Sequence, residues 1–118
     1  MENIDIYGLD DEHPIPNLDV VDVNAAKKDG GSDLYIVVAT PLADDSRSLQ
    51  RLLRKIERYL EFMNTKEFRA ESGMSSVENT RIIVNIHPDS TPAAFELLER
   101  SKPWVRDNNA DLVVDTRL

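Results

Sequence analysis

Two short β-branched runs, LYIVVATP at 34–41 and RIIVNIH at 81–87, flank the stretch DDSRSLQRLLRKIERYLEFM at 44–63. This arrangement constrains the fold more than any other feature of the chain. Leu49, Leu52, Leu53, Ile56, Leu60 and Met63 recur at helical spacing and predict one apolar helix face. Asp44, Asp45 and Ser46 offer N-caps, and the two acids suit the positive end of the helix dipole. A connection that carries such a helix is long enough to be a parallel crossover, and such crossovers are nearly always right-handed. The pattern then repeats. TPAAFELLERSK at 91–102 predicts a second helix, ahead of a strand in DLVVDTR at 111–117.

The first β-branched run also has a partner before it. DVVDVNAAKK at 19–28 reads as a strand, and the DGGSD that follows supplies Gly30 and Gly31, which tolerate the positive φ of a hairpin turn. The order is then ββαβαβ. Two right-handed crossovers in the same direction put both helices on one side. The expected fold is α/β of an α+β-like kind, a two-layer sandwich with a mixed four-stranded sheet and two helices on one face. Residues 64–80 form a long polar connection, with room for a helical turn near 65–71. Pro103 is expected to interrupt the second helix. At 118 residues the chain fits one domain and buries roughly two-thirds of its unfolded surface. That domain is read as residues 19–118. Residues 1–18 are read as an acidic irregular arm, because the HPIP piece at 13–16 resists helix.

Side chains alternate across a sheet. Val21, Val23 and Ala25, with Ile82, Val84, Ile86, Leu112, Val114 and Thr116, are expected to meet the helices. The other face would carry Val20, Asp22, Asn24, Ile83, Asn85, His87, Asp111, Val113 and Asp115, with Tyr35, Val37 and Ala39. It is half apolar, which suits cover by a partner, including a second copy of the chain.

Charge narrows the function classes. Residues 1–33 hold nine acids against Lys27 and Lys28, while residues 34–118 hold thirteen acids against twelve bases, so nearly all of the net charge of −8 sits in the first quarter. An acidic chain is a poor general binder of nucleic acid, which needs a positive surface. No apolar run approaches the ~18–20 residues of a membrane span. The first residues lack the basic-then-apolar pattern of a signal peptide, and there is no Cys. These features fit a cytoplasmic protein without disulfides or a thiolate nucleophile. No cofactor motif occurs. His13 and His87 are the only histidines, and no second ligand lies at zinc spacing.

Four features carry candidate chemistry. His87 ends a strand, where open α/β sheets tend to bind ligands, and it shares its expected face with Asp22 and Asp115. It is the candidate general base; the plainer reading is a solvent-facing sheet end. Ser90 and Thr91 follow it, but Thr91 reads as an N-cap with Pro92 at the first helical position. Arg47, Arg51, Arg54, Lys55 and Arg58 form a basic stripe along the first helix. Such a stripe can grip an acidic partner, lie solvated, or meet the chain's own acidic arm. Trp104 either closes the end of the core or serves as a contact anchor.

The hairpin VDVNAAKK…LYIVVAT, then LLRKIERYLEFMNTKEF, then RIIVNIHPDSTPAAFELLERS resemble a family of small bacterial domains of unknown function. Lys55, Ile56, Tyr59, Leu60 and Phe62, then Pro88, Phe95, Leu97, Leu98 and Glu99, carry the likeness over about residues 19–118. Pro103 departs from the uninterrupted second helix that the resemblance implies. It implies no catalytic residues. The first functional reading is therefore a non-catalytic protein-interaction module that pairs as a homodimer, with Arg47, Arg51, Arg54, Lys55, Arg58 and Trp104 as its contact residues. A second is an immunity- or antitoxin-like protein that meets a basic partner by charge complementarity. A third is an enzyme with His87 as base.

Overall fold

The computed structural model describes residues 9–117. Of the acidic arm expected over 1–18, residues 1–8 lie outside the described residues. The elements are β1 (Val23–Ala26), β2 (Ser32–Val38), α1 (Ser46–Phe62), α2 (Lys66–Ser72), β3 (Arg81–Ile86), α3 (Pro92–Asp107) and β4 (Asp111–Asp115). The sheet order is β1-β2-β3-β4. β1 pairs antiparallel with β2, while β2–β3 and β3–β4 are parallel. This is the expected mixed four-stranded α+β sandwich, with three helices in place of two. The third is α2, inside the 64–80 connection. Thr65 caps it by accepting the Phe68 N–H, and Phe68 is buried against the core.

The core lies between the sheet and the helices. Leu34, Ile36, Val38, Ile82, Val84, Ile86 and Leu112 join Leu52, Ile56, Tyr59, Leu60, Met63, Phe68, Ala94, Leu98 and Val105 in one apolar cluster. Ile83 is equally buried but stands outside that cluster, on the opposite face of the sheet. The register corrects one expectation. Val23 pairs with Tyr35 and Asn24 with Leu34, so Val23 and Ala25 lie on the open face and Asn24 on the helix side. The short β1 lacked enough alternating residues to fix its facing. The buried Asn24 Oδ1 has no hydrogen-bond partner among the described residues.

α1 is rotated from the face the leucines suggested. Leu53 is 40% exposed, whereas Arg51 and Lys55 are 2% and 1% exposed. The reason is the 9–22 segment, which packs along α1 and sends Ile15 and Leu18 into the core. α1 is thus covered on two sides. Asp45 caps it by accepting from the Ser48 N–H at 3.1 Å.

α3 runs through Pro103 to Asp107, against the expected break. A proline frees the carbonyl four residues earlier. Here that is Glu99, and both residues are exposed, so water can take the freed carbonyl. Thr91 occupies the N-cap with Pro92 behind it, as the sequence suggested, yet its side chain makes no capping bond. The HPDST turn is held instead by Leu42, whose N–H donates to Ser90 Oγ and whose carbonyl accepts from the Thr91 N–H, each at 3.0 Å.

Candidate functional site

The basic stripe on α1 divides into two kinds of residue. Arg51 and Lys55 stand one turn apart on the side that faces the 9–22 segment. Arg51 donates from Nε to the Ile15 carbonyl at 3.0 Å. Lys55 Nζ donates to the carbonyls of Asn17 and Val20 and pairs with Asp22 at 3.0 Å. These two cations hold irregular backbone whose own pairing is a single Leu9–Asn17 bridge, so they are internal fasteners. Arg47, Arg54 and Arg58 reach the surface. Arg47 pairs with Asp10, Arg54 with Glu57 and Glu61, and Arg58 with Glu61 and Asp19. The hydrogen bond from Arg47 holds the Asp10 carboxyl below its ordinary range. The stripe therefore meets the chain's own acids in cis, one of the readings open to the sequence.

The structure brings the exposed part of the stripe together with Trp104. A hollow of about 360 Å³ is lined by Leu18, Arg47, Gln50, Arg51, Leu53, Arg54 and Glu57. A second of about 260 Å³, lined by Leu53, Glu57 and Trp104, continues it toward α3. Leu53 and Glu57 are common to both. Trp104 is half-buried and packs its inner side against the core. It reaches Leu53 because α3 continues past Pro103. The floor of this groove is apolar, and its rim carries Arg47 and Arg54 with the acids they pair with, Glu57 among them. Periodicity misassigned two of the lining residues, placing buried Arg51 outside and exposed Leu53 inside. Only the packing of 9–22, which has no period of its own, turns Leu53 outward.

His87 is placed elsewhere. Its Nδ1 accepts the Asp89 N–H at 3.0 Å, and its backbone N–H donates to Val38. With Nδ1 occupied as an acceptor, the neutral ring carries its proton on Nε2, so Nε2 cannot accept one. No carboxylate bonds to His87 among the described residues, and the groove does not include it. Among the described residues no group of three or more His, Asp and Glu is arranged to hold a metal.

A second histidine has a more connected setting. His13 Nδ1 accepts the Ile15 N–H at 2.9 Å, and Nε2 lies 2.9 Å from Ser48 Oγ, which donates to Asp45 at 2.7 Å. This chain of donors is ordered against nucleophile activation, since the serine gives its proton to the carboxylate and not to the imidazole. It ties the 9–22 segment to the start of α1. Burial, followed by the nearby Arg51 and Arg47, holds the imidazole below its ordinary 6.5, against the weaker pull of Asp10 and Asp45. The fold thus favours neutral His13. Its contribution is complete above about pH 6.5, where the unfolded chain is also neutral, and declines as pH falls from there toward the folded value. Urea midpoints at pH 8 and pH 5.5 test this. The wild type is expected to lose more stability over that interval than His13→Gln, and equal losses would refute the assignment.

The second exposed surface is the open face of the sheet. The register aligns Val23, Tyr35, Ile83 and Val113 in one row across all four strands. Val23 is 46% exposed and Val37, in the next row, is 37% exposed. On the other side, Arg81 grips Asp33 through two hydrogen bonds of 3.0 and 2.8 Å. That contact holds the Asp33 carboxyl below its ordinary range.

No helix of the described residues is long and apolar enough to cross a membrane. A model of a family of unknown function (DUF6572) matches residues 13–117. The resemblance read from the sequence is thereby borne out as one to a family of unknown function, with a start at residue 13 in place of 19, so that the match takes in Ile15 and Leu18. No curated protein and no solved structure matches the chain.

Proposed function

Because the chain belongs to this family of unknown function, which assigns it no activity, we propose from its surfaces that it is a non-catalytic protein-interaction module whose docking site is the α1–α3 groove. The observation that carries this reading is the exposed Leu53, set between two hollows with Trp104 at one end and Arg47 and Arg54 along the rim. An apolar anchor beside an aromatic, with Arg47, Arg54 and Glu57 at its rim, suits a protein segment that places an apolar side chain on Leu53 and acidic ones that compete for the two arginines. Arginine gives such a rim planar, bidentate donors for carboxylates. Among the described residues, the tautomer of His87 and the donor order at His13 lend the enzyme reading no support.

Site-specific photo-crosslinking in the cells that make the protein tests the proposal. A crosslinker at Leu53 is expected to capture a protein partner. One at Met74, 71% exposed and remote in sequence, is the control. Adducts at Leu53 should fall several-fold when Trp104→Ala or Arg54→Glu is added. Adducts that form equally at both positions, or survive both substitutions, would overturn the groove as the docking site.

A further inference from the structure

We propose that the open face of the sheet pairs with the same face of a second copy, about a two-fold axis parallel to the strands. The surface is separate from the α1–α3 groove and lies on the opposite side of the sheet. The inference therefore goes beyond the reading given above and does not depend on it.

The argument rests on the register. Three rows cross the open face. The middle row is Val23, Tyr35, Ile83 and Val113; one flanking row is Ala25, Asp33, Arg81 and Asp111; the other is Val37, Asn85 and Asp115. A two-fold axis along the strands keeps each row on itself and reverses the strand order. β1 then lies over β4 of the second copy, and β2 over β3. Val23 meets Val113, and Tyr35 lies over Ile83, whose side chain is already buried among its neighbours in the single chain, so apolar side chains face apolar ones. In the charged row, Asp33 of each copy faces Arg81 of the other, twice by symmetry. The in-plane axis at right angles fails this test. It keeps the strand order and exchanges the flanking rows, which sets Asp115 against Asp111 and Val37 against Asp33. Charge and apolarity together select the first arrangement, whose strand directions also agree with aligned sheet packing.

The size of the face sets the strength. Four strands about 4.8 Å apart and about five residues long cover roughly 19 by 17 Å. That is well below the ~800 Å² per partner of a standard stable interface. The pair is accordingly concentration-dependent and not obligate.

Sedimentation equilibrium of the full chain over a range from micromolar to millimolar tests this. The wild type is expected to pass from monomer to dimer. Arg81→Asp and Asp33→Arg, each alone, should weaken self-association at least tenfold while thermal unfolding shows both still folded. Mixed in equal amounts, the two variants should form a heterodimer, since one copy then presents two acids and the other two arginines. A purely intrachain Asp33–Arg81 pair cannot produce that recovery. A wild type that stays monomeric throughout, or a mixture no more associated than its components, overturns the proposal. So does a crosslinker at Val37 that captures a different protein and never a second copy. Because these readouts concern the sheet face alone, they leave the Leu53 result to stand or fall separately.

Discussion

Replacing Lys55 with methionine is expected to lower the thermal midpoint by about 12 °C. The substitution keeps the apolar stem and removes the ammonium, so its effect reports the head group. That head group serves the carbonyls of Asn17 and Val20 and the carboxylate of Asp22. Asp22 in turn accepts the Val37 N–H through its other oxygen, at 3.0 Å. Its own N–H donates at 2.7 Å to the Tyr59 hydroxyl, which donates to the Tyr35 carbonyl. β1 ends before Val37, so this edge of β2 is finished by a side chain instead of a strand. Lys55 therefore fixes both the 9–22 segment and the edge of the sheet. Removing one partner of a buried ion pair costs ~3–5 kcal/mol. Asp22 is partly solvated, with 26% of its side chain exposed, which places the expected loss near the low end, about 3 kcal/mol. For a domain of this size ~4 °C accompanies each kcal/mol. Lys55→Arg should not restore the midpoint, since three converging acceptors suit a compact ammonium better than a planar fork. Arg54→Met removes the same charge from the surface and should shift the midpoint by no more than about 2 °C, in line with exposed pairs. Circular dichroism melts of the three variants decide the matter. A Lys55→Met melt that matches Arg54→Met would show that the buried ammonium is not what holds the segment.

Lys55 also shows where the sequence stopped being informative. Elements with strong periodicity or clear punctuation were legible: β2, β3, α1, the Thr91–Pro92 start of α3, and the parallel crossovers that follow from them. The facing of β1 was not, because it depends on a register set by a turn and not by four ambiguous residues. The depth of Arg51 and Lys55 was not, because a lysine on a helix is normally solvated. Their burial depends on Ile15 and Leu18, two apolar residues in a segment rich in proline and acids. Charge alone suggested an arm–helix contact. It did not indicate that the contact would be made through backbone carbonyls, which carry no sequence signature. The groove at Leu53 follows from the same fact. The candidate site was therefore legible as a set of residue types, and its division into internal fasteners and surface rim required the packing.

The Gly31 turn makes the complementary case, in which one backbone position is dictated by its surroundings. Gly31→Ala is expected to cost about 3–4 kcal/mol, the sum of a left-handed conformation for an L-residue and the displacement of close-packed backbone. Gly30 and Gly31 both have positive φ, +100° and +84°, and both lie in the β1–β2 hairpin. Their surroundings differ. A Cβ at Gly30 finds its nearest neighbour at 3.7 Å, in ordinary contact with the Ser72 carbonyl, whereas one at Gly31 would overlap the backbone carbonyl of Asn79. Asn79 cannot simply swing away. Its side chain accepts the Ser76 N–H at 2.8 Å, and the following Thr80 is fully buried and accepts the Asp111 N–H at the start of β4. Gly31 also donates to the Ser72 carbonyl at the end of α2, beside the 2.7 Å contact of Ser32 with the Ser72 hydroxyl. Backing away from Asn79 would thus loosen the anchor of α2. Gly30→Ala carries the conformational term alone, about 1–2 kcal/mol. The difference between the two variants in urea midpoint, with the slope unchanged, isolates the steric part. Equal midpoints would mean that the 73–80 connection yields freely and that the hairpin is not braced against it. A larger loss at Gly31 would establish that the turn, the α2 terminus and the entry to β3 are one packed junction, which the GG dipeptide announced only as a turn.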